Sequence, residues 1–212
     1  MPRAFADITF TPSVKAAQLR YGSRSANEKF EHNDEPMNTL TPREVAFIHA
    51  CDGCYQATVS ETGWPYVQFR GGPAGFLQVL DAQTLGYADF RGNRQYMSVG
   101  NINADGRIAL ILMDYPNRRR LKIWGRAKVV HATEDSALVA RLKLPDYHAH
   151  VERAVIISID AYDWNCPQHI TPRFTEPEVA EWAAALQQRL VDLEAENARL
   201  KAGHPLLPHS IA

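Results

Sequence analysis

Between Tyr55 and Asp163 the chain is a succession of short apolar segments, each separated from the next by turn-forming residues. Segments of this length, bounded by glycine, proline, asparagine or aspartate, are typical of β-strands. The spacing predicts strands at 55–60, 65–70, 76–80, 84–89, 107–114, 120–131 and 153–162. Because short turns join antiparallel neighbours, we expect a mainly β fold that forms a small closed or partly split barrel.

Helical segments flank and interrupt these strands. Thr41, Pro42 and Glu44 give a helix start, since threonine caps the amino end, proline suits the first position and glutamate completes a capping box. This helix is predicted to end near Cys51. Shorter helices are predicted at 93–101 and 133–142. Residues 1–40 are polar and are expected to form an irregular arm with one short helix at 12–20 and a surface loop at 28–38.

The segment after Pro177 has a seven-residue repeat. One core position holds Val179, Leu186, Leu193 and Leu200, and the other holds Ala183, Leu190 and Asn197. Asparagine at such a position fixes the register of a two-stranded coiled coil, and Arg189–Glu194 and Glu196–Lys201 have the spacing that attracts parallel chains. Three heptads are marginal alone, so an amphipathic helix packed on its own barrel stays an alternative.

Composition limits the partners and the compartment. The chain of 212 residues has a formal net charge of −1, so no global attraction to nucleic acid or anionic membranes is expected. No run approaches the roughly 20 apolar residues that span a bilayer, and the amino end lacks the apolar stretch of a signal peptide. Three cysteines are too few for a disulfide scaffold. We expect a cytoplasmic protein.

The stretch from Pro65 to Asn101 contains the candidate site. Gln68 and Arg70 lie two residues apart, on one face of a predicted strand, so that face is expected to meet something polar. Downstream, Arg91 and Arg94 flank a turn that opens a predicted helix. Free N–H groups, the positive end of the helix dipole and two arginines favour an anion, above all a phosphate. A solvated basic turn is the alternative.

The predicted elements follow one another as a strand, a hairpin, a basic turn, a helix that ends in asparagine, and an apolar strand at 107–114. This order resembles the FMN-binding split barrel of the pyridoxamine 5′-phosphate oxidase family. The closing stretch WNCPQHITPR at 164–173 is similar to tails in uncharacterised members. The resemblance covers roughly residues 40–175 and implies a split barrel at 41–175. The N-terminal arm at 1–40, the C-terminal helix at 176–203 and the tail at 204–212 lie outside it. The resemblance also implies FMN as cofactor, a homodimer with the flavin at the subunit interface, and a small-molecule substrate.

The resemblance also implies site residues. Gly92-Asn93-Arg94 occupies the place of the family's S-R-K turn, so Arg94 is the expected phosphate ligand. In the family's R-x-V-L-L-K strand, Gln68 stands where the arginine would be, Arg70 is a possible substitute and no lysine follows. Trp164, His169 and Arg173 are candidates to reach a partner's flavin. The cofactor-binding set so implied is Val67, Gln68, Phe69, Arg70, Ala88, Arg91, Asn93, Arg94, Gln95, Trp164, His169 and Arg173.

The function implied by the resemblance is hydride transfer between flavin and a small substrate, with no residue identified as an acid or base. A non-catalytic flavin or haem carrier or sensor on the same barrel is the alternative, since fold does not fix function. An interaction protein that assembles through the heptad helix is a third class. Cys51 and Cys54 have CxxC spacing, but no second CxxC or nearby histidine pair completes a zinc site, so no metal site is predicted.

Overall fold

The computed structural model describes residues 3–32, 37–164 and 167–203. Helices α1 to α7 span Ala4–Thr9, Pro12–Arg20, Arg24–Glu31, Pro42–Ala50, Met97–Ala104, Ser136–Leu142 and Glu176–Gly203. Strands β1 to β7 span Gly53–Val59, Pro65–Gly71, Gln78–Asp81, Thr84–Phe90, Arg107–Asp114, Arg119–Val130 and Val151–Trp164. Cys166 and the predicted tail at 204–212 lie outside the described residues.

The seven strands form one antiparallel sheet in the order β2-β1-β5-β6-β7-β4-β3. This confirms the predicted split β-barrel with flanking helices. The two longest strands, β6 and β7, pair with a register shift between Trp124 and Gly125. Gly125 is required there, because a Cβ atom would lie 2.2 Å from the carbonyl oxygen of Ser158.

Inward-facing side chains of the strands form the main core. Leu85, Leu112, Leu121 and Ile157 are fully buried in it, and the alternation of buried and exposed residues along β6 follows the two-residue period of a strand. Helix α4 covers this core with Phe47 and Ile48. Its start has the predicted capping box: the Thr41 N–H donates to Glu44 Oε2 over 3.0 Å.

The N-terminal arm is more ordered than expected. Helix α2 coincides with the predicted helix at 12–20, but a further helix, α3, covers part of the segment predicted as a loop at 28–38. Positions 33–36 of that segment lie outside the described residues. An ion pair between Arg24 and Glu31, 2.5 Å long, joins the two ends of α3. Phe5 packs its ring 5.0 Å from Trp124 of β6, so α1 attaches the arm to the barrel.

The chain divides after Ile170 into two compact units. The second unit contains α7, and at the start of this helix Glu178 Oε2 accepts the N–H of Thr175 over 2.7 Å. Over the described ranges, no helix is both long and apolar enough to cross a membrane.

Candidate functional site

A cavity of about 240 Å³ opens beside β2, between the end of β4 and the start of α5. Its walls come from three parts of the barrel. The lining residues are Tyr66, Gln68, Arg70, Asp89, Phe90, Gly92, Asn93, Arg94, Gln95, Tyr96, Met97, Ser98, Val99 and Glu152. Ligand sites in proteins are usually concave and contain a few convergent polar groups, and this cavity has both properties.

One face of β2 forms a wall of the cavity. Tyr66, Gln68 and Arg70 line it, while Val67 and Phe69 point to the opposite face and are 60% and 61% exposed. This confirms that Gln68 and Arg70 share a polar face. Ser98 of α5 donates to Gln68 Oε1 over 2.7 Å. That hydrogen bond fixes the Gln68 amide and joins the strand to the helix.

The inner end of the cavity holds a buried charge cluster around Asp89. Arg70 Nη1 donates to Asp89 Oδ1 over 2.7 Å, and Arg153 Nε lies 3.3 Å from Asp89 Oδ2. Burial raises the pKa of Asp89, although the two arginines act to lower it. The Arg70 Nε atom is also buried and has no hydrogen-bond acceptor among the described residues. The cluster therefore keeps a guanidinium donor for a further acceptor.

Glu152 forms the second charged group of the cavity. It accepts hydrogen bonds of 3.1 Å from Arg91 Nε and from the Tyr96 hydroxyl, and it pairs with Arg153. Burial opposes its ionisation, but the donors from Arg91 and Tyr96 together with the positive charge of Arg153 lower the pKa of Glu152. Arg91 is therefore neutralised within its own chain.

The turn before α5 has an unusual backbone. Asn93 Oδ1 accepts the N–H of Gln95 over 3.1 Å, and Arg94 and Tyr96 adopt φ values of 61° and 55°. Such left-handed conformations are costly for residues other than glycine and concentrate at functional sites. Because the turn extends to Tyr96, α5 begins only at Met97. The helix ends at Ala104. The prediction of a helix at 93–101 was wrong in both bounds.

Arg94 differs from the two other arginines predicted for the site. Arg70 and Arg91 each have a carboxylate partner, whereas Arg94 makes no hydrogen bond or ion pair with any described residue. Beside it, Met97, Ser98 and Val99 form the first turn of α5, whose N–H groups lack intrahelical acceptors. No side chain caps this helix end. A free cation beside free N–H donors can bind an anion.

The sequence profile of the family described as pyridoxamine 5′-phosphate oxidase matches residues 40–164, which is more than half of the chain. The chain belongs to this family. The matched range begins just before α4 and ends with the last residue of β7. It includes the whole sheet and every residue that lines the cavity.

Solved structures similar to the chain come from several bacteria. HupZ of Group A Streptococcus is 16% identical, with 64% of this chain and 99% of that chain covered and a TM-score of 0.46. General stress protein 26 of Bacillus anthracis is 15% identical, with coverages of 63% and 95% and a TM-score of 0.44. An FMN-binding protein of Syntrophomonas wolfei is 12% identical, with coverages of 73% and 95% and a TM-score of 0.44. No curated protein sequence matches the chain.

The family barrel brings some of the predicted site residues together and places others elsewhere. Gln68, Arg70, Asn93, Arg94 and Gln95 all line the cavity. Ala88 is buried in a second core cluster with Val130 and Val139. Val67, Phe69 and Arg91 adjoin the cavity in sequence, and their side chains are exposed.

The three residues predicted to reach a partner's flavin lie at the end of the matched range or beyond it. Trp164 donates to Glu44 Oε1 over 2.7 Å and packs on Phe47, with ring centroids 4.7 Å apart. His169 is exposed and has a φ of 61°. Arg173 is exposed and belongs to the second unit. Their role toward a partner stays a prediction.

Sequence reasoning missed the acidic half of the site. Asp89 and Arg153 are direct cross-strand neighbours on β4 and β7, and Glu152 precedes Arg153. The available signal was a single aspartate inside the apolar strand LGYADF, since a charge in such a strand needs a partner. The partners of Asp89 are Arg70 and Arg153. Both are so far from Asp89 in the sequence that no local pattern predicts the pairing.

Cys51 and Cys54 are both buried and free. Burial raises the pKa of each thiol to about 12, whereas reactive cysteines need a lowered pKa and access to solvent. Both side chains belong to the main core. The pair therefore has a packing role in this barrel.

Proposed function

We propose that this protein binds FMN in the cavity and transfers a hydride between the flavin and a small substrate. The observation that supports this best is the uncompensated Arg94 at the uncapped end of α5. A flavin phosphate placed there would receive N–H groups of the helix and a charge-assisted bond from Arg94. Membership of the pyridoxamine 5′-phosphate oxidase family supports the same assignment.

The remaining cavity groups fit the rest of a flavin. Arg70 Nε is a buried donor without an acceptor among the described residues. Gln68 accepts from Ser98 through its oxygen, which leaves its N–H groups to donate to a ring carbonyl or ring nitrogen. Tyr66 adds an aromatic side chain to the same wall. The family's strand arginine and lysine are replaced here, so the substrate contacts are expected to differ from those of the oxidase.

When bound, the isoalloxazine supplies the redox chemistry by accepting or giving a hydride. The protein's residues hold and orient it: Arg94 and α5 at the phosphate, Gln68 and Arg70 along β2. Both carboxylates that line the cavity are ion-paired, Asp89 with Arg70 and Glu152 with Arg91. They therefore act as fixed counter-charges for the arginines.

The proposal includes a second copy of the chain. On the outer face of β1 and β2, Tyr55 packs its ring 5.6 Å from that of Phe69, beside the exposed Val67. Contiguous exposed apolar side chains of this kind mark interaction sites. This apolar face lies on the strand whose other side lines the cavity. A homodimer formed through it would bring the partner's residues next to the flavin.

Val67→Asp is expected to weaken the homodimer by at least tenfold, since a buried, unpaired carboxylate at an interface costs more than about 1.4 kcal/mol. Sedimentation velocity over a range of concentrations measures this effect on a chain that ends at Thr175, so that pairing of the C-terminal helix does not contribute. Leu19→Asp is the matched control, because Leu19 is 67% exposed against 60% for Val67 but lies on α2 of the arm. A wild-type monomer, or equal effects of both substitutions, would contradict the proposed interface.

FMN is expected to bind at least tenfold more tightly than FAD. The anion site consists of one free arginine and one helix end, which suits a single terminal phosphate and offers nothing for an adenylate. Fluorescence titration of the apoprotein with both flavins measures the two dissociation constants. Equal or tighter binding of FAD would show that the cavity accepts the larger dinucleotide.

A flavin or haem carrier on the same barrel is the second candidate, and it is favoured by the ion pairing of both cavity carboxylates. The mass and absorption spectrum of the ligand released on denaturation distinguish FMN from deazaflavin and haem. Oxidation of NAD(P)H or of pyridoxamine phosphate by the holoprotein would establish an enzyme. A bound flavin without turnover of any donor would favour the carrier, and a colourless protein with no flavin affinity would leave an interaction protein.

A further inference from the structure

Helix α7 presents a long apolar stripe. Along its 28 residues, the side chains of the heptad stripe are largely exposed: Val179 by 48%, Leu186 by 56%, Leu190 by 58%, Leu193 by 45% and Leu200 by 65%. Leucines so exposed at a regular spacing lose the stabilisation of burial, which is about 1.5–3 kcal/mol for each large side chain. The stripe therefore needs an apolar partner.

The period of the stripe indicates the type of partner. Its two core positions recur every seven residues, which gives a narrow seam instead of the wider apolar face that packs on a globular core. Apart from Trp182 and Val191, the side chains between the core positions are charged, polar or alanine. A narrow seam with a strict period of 3.5 residues fits a second helix that carries the same period.

Charges beside the seam indicate the direction of that second helix. In a parallel, in-register pair, Arg189 faces Glu194 of the other chain and Glu196 faces Lys201. Each pair occurs twice by symmetry, so four attractive contacts form. Asn197 would meet its own copy, where the two amides can hydrogen-bond. An antiparallel pair centred on Leu190 instead leaves Asn197 facing the apolar Ala183 and places Arg189 opposite Val191, so neither charge pair forms.

We propose that α7 forms a parallel, two-stranded coiled coil with α7 of a second copy of this chain. The coil is about 42 Å long at 1.5 Å per residue, and its two-fold axis makes a closed dimer. This inference concerns the second unit alone and does not depend on flavin binding. The helix supplies both the seam and its own complementary charges, so no other protein is needed.

Disulfide trapping in the full-length protein tests the pairing. Cysteines introduced singly as Val179→Cys and Leu200→Cys lie on the seam near opposite ends, about 31 Å apart. Gln188→Cys is the control, since it is exposed on the outer side of the same helix. Native Cys51 and Cys54 are buried, and Cys166 is replaced by serine throughout. In a glutathione buffer, both seam variants are expected to form self-disulfides on the order of 100-fold more readily than Gln188→Cys.

Each result decides the proposal. Self-disulfides at both seam positions, without enrichment at position 188, support the parallel coil. Disulfides that form only between Val179→Cys and Leu200→Cys chains in a mixture would show an antiparallel pair and overturn it. Equal trapping at all three positions, or trapping at none, would show that α7 does not pair through this seam. Because the replaced side chains are exposed, the barrel should fold in every variant, and circular dichroism verifies this.

Discussion

Replacing Asp89 by alanine is expected to lower the free energy of unfolding by about 3–5 kcal/mol. Asp89 is 4% exposed and is the shared counter-charge of Arg70 and Arg153, whose side chains are 16% and 10% exposed. Without the carboxylate, the two guanidinium groups face each other with little water to screen them. Urea unfolding followed by circular dichroism measures the loss.

Asp160→Ala is the matched control for this prediction. Asp160 pairs with Arg126 over 3.5 Å, and the side chains are 43% and 62% exposed. Exposed pairs of this kind contribute about 0–1 kcal/mol. Similar small losses in both variants would mean that solvent reaches the Asp89 cluster and that its charges do not depend on one another.

The fold could be predicted to a large extent because its signals are local. Turn residues and apolar runs gave all seven strands, and Arg107–Asp114 agrees with the structure at both ends. The start of α4 was equally predictable, since a capping box lies within four residues. Where tertiary contacts decide, prediction failed. Helix α3 is stabilised by the ion pair of Glu31 with Lys15 of α2 and by aromatic packing of Phe30 on Phe5 of α1.

The site was predicted in part for the same reason. Side chains alternate along a strand, so Gln68 and Arg70 were predicted to share one face. In the structure both of them line the cavity. The start of α5 could not be placed, because Arg94 and Tyr96 adopt left-handed conformations that no residue pattern indicated. The pairing of Arg91 with Glu152 also depends on contact between the end of β4 and the start of β7. Because of that contact, Arg91 has a carboxylate partner and Arg94 has none among the described residues, although the two arginines lie three residues apart in the sequence.

Arg94 is expected to contribute more to FMN affinity than Arg70 or Arg91, because those two arginines are already paired with carboxylates. Arg94→Ala should weaken FMN binding by roughly 10- to 150-fold, which corresponds to the loss of about 1.5–3 kcal/mol for a hydrogen bond to a charged group. The fold should be retained, since the side chain is exposed and has no partner among the described residues. Fluorescence titration of the apoprotein gives the dissociation constants, and an unchanged value would remove Arg94 from the site.

Arg118→Ala is the matched control, because it changes the net charge and the backbone strain as Arg94→Ala does but removes no residue of the cavity. Arg118 is also an exposed arginine with positive φ, 53° against 61° for Arg94, but it lies in the turn between β5 and β6, outside the residues that line the cavity. Both substitutions place alanine in the same strained backbone region and remove the same net charge. FMN affinity should therefore fall only in Arg94→Ala, and Arg94→Lys should restore part of it, because lysine keeps the charge without the planar donor fork. An equal loss in Arg118→Ala would point to the overall charge of the protein instead of a phosphate contact.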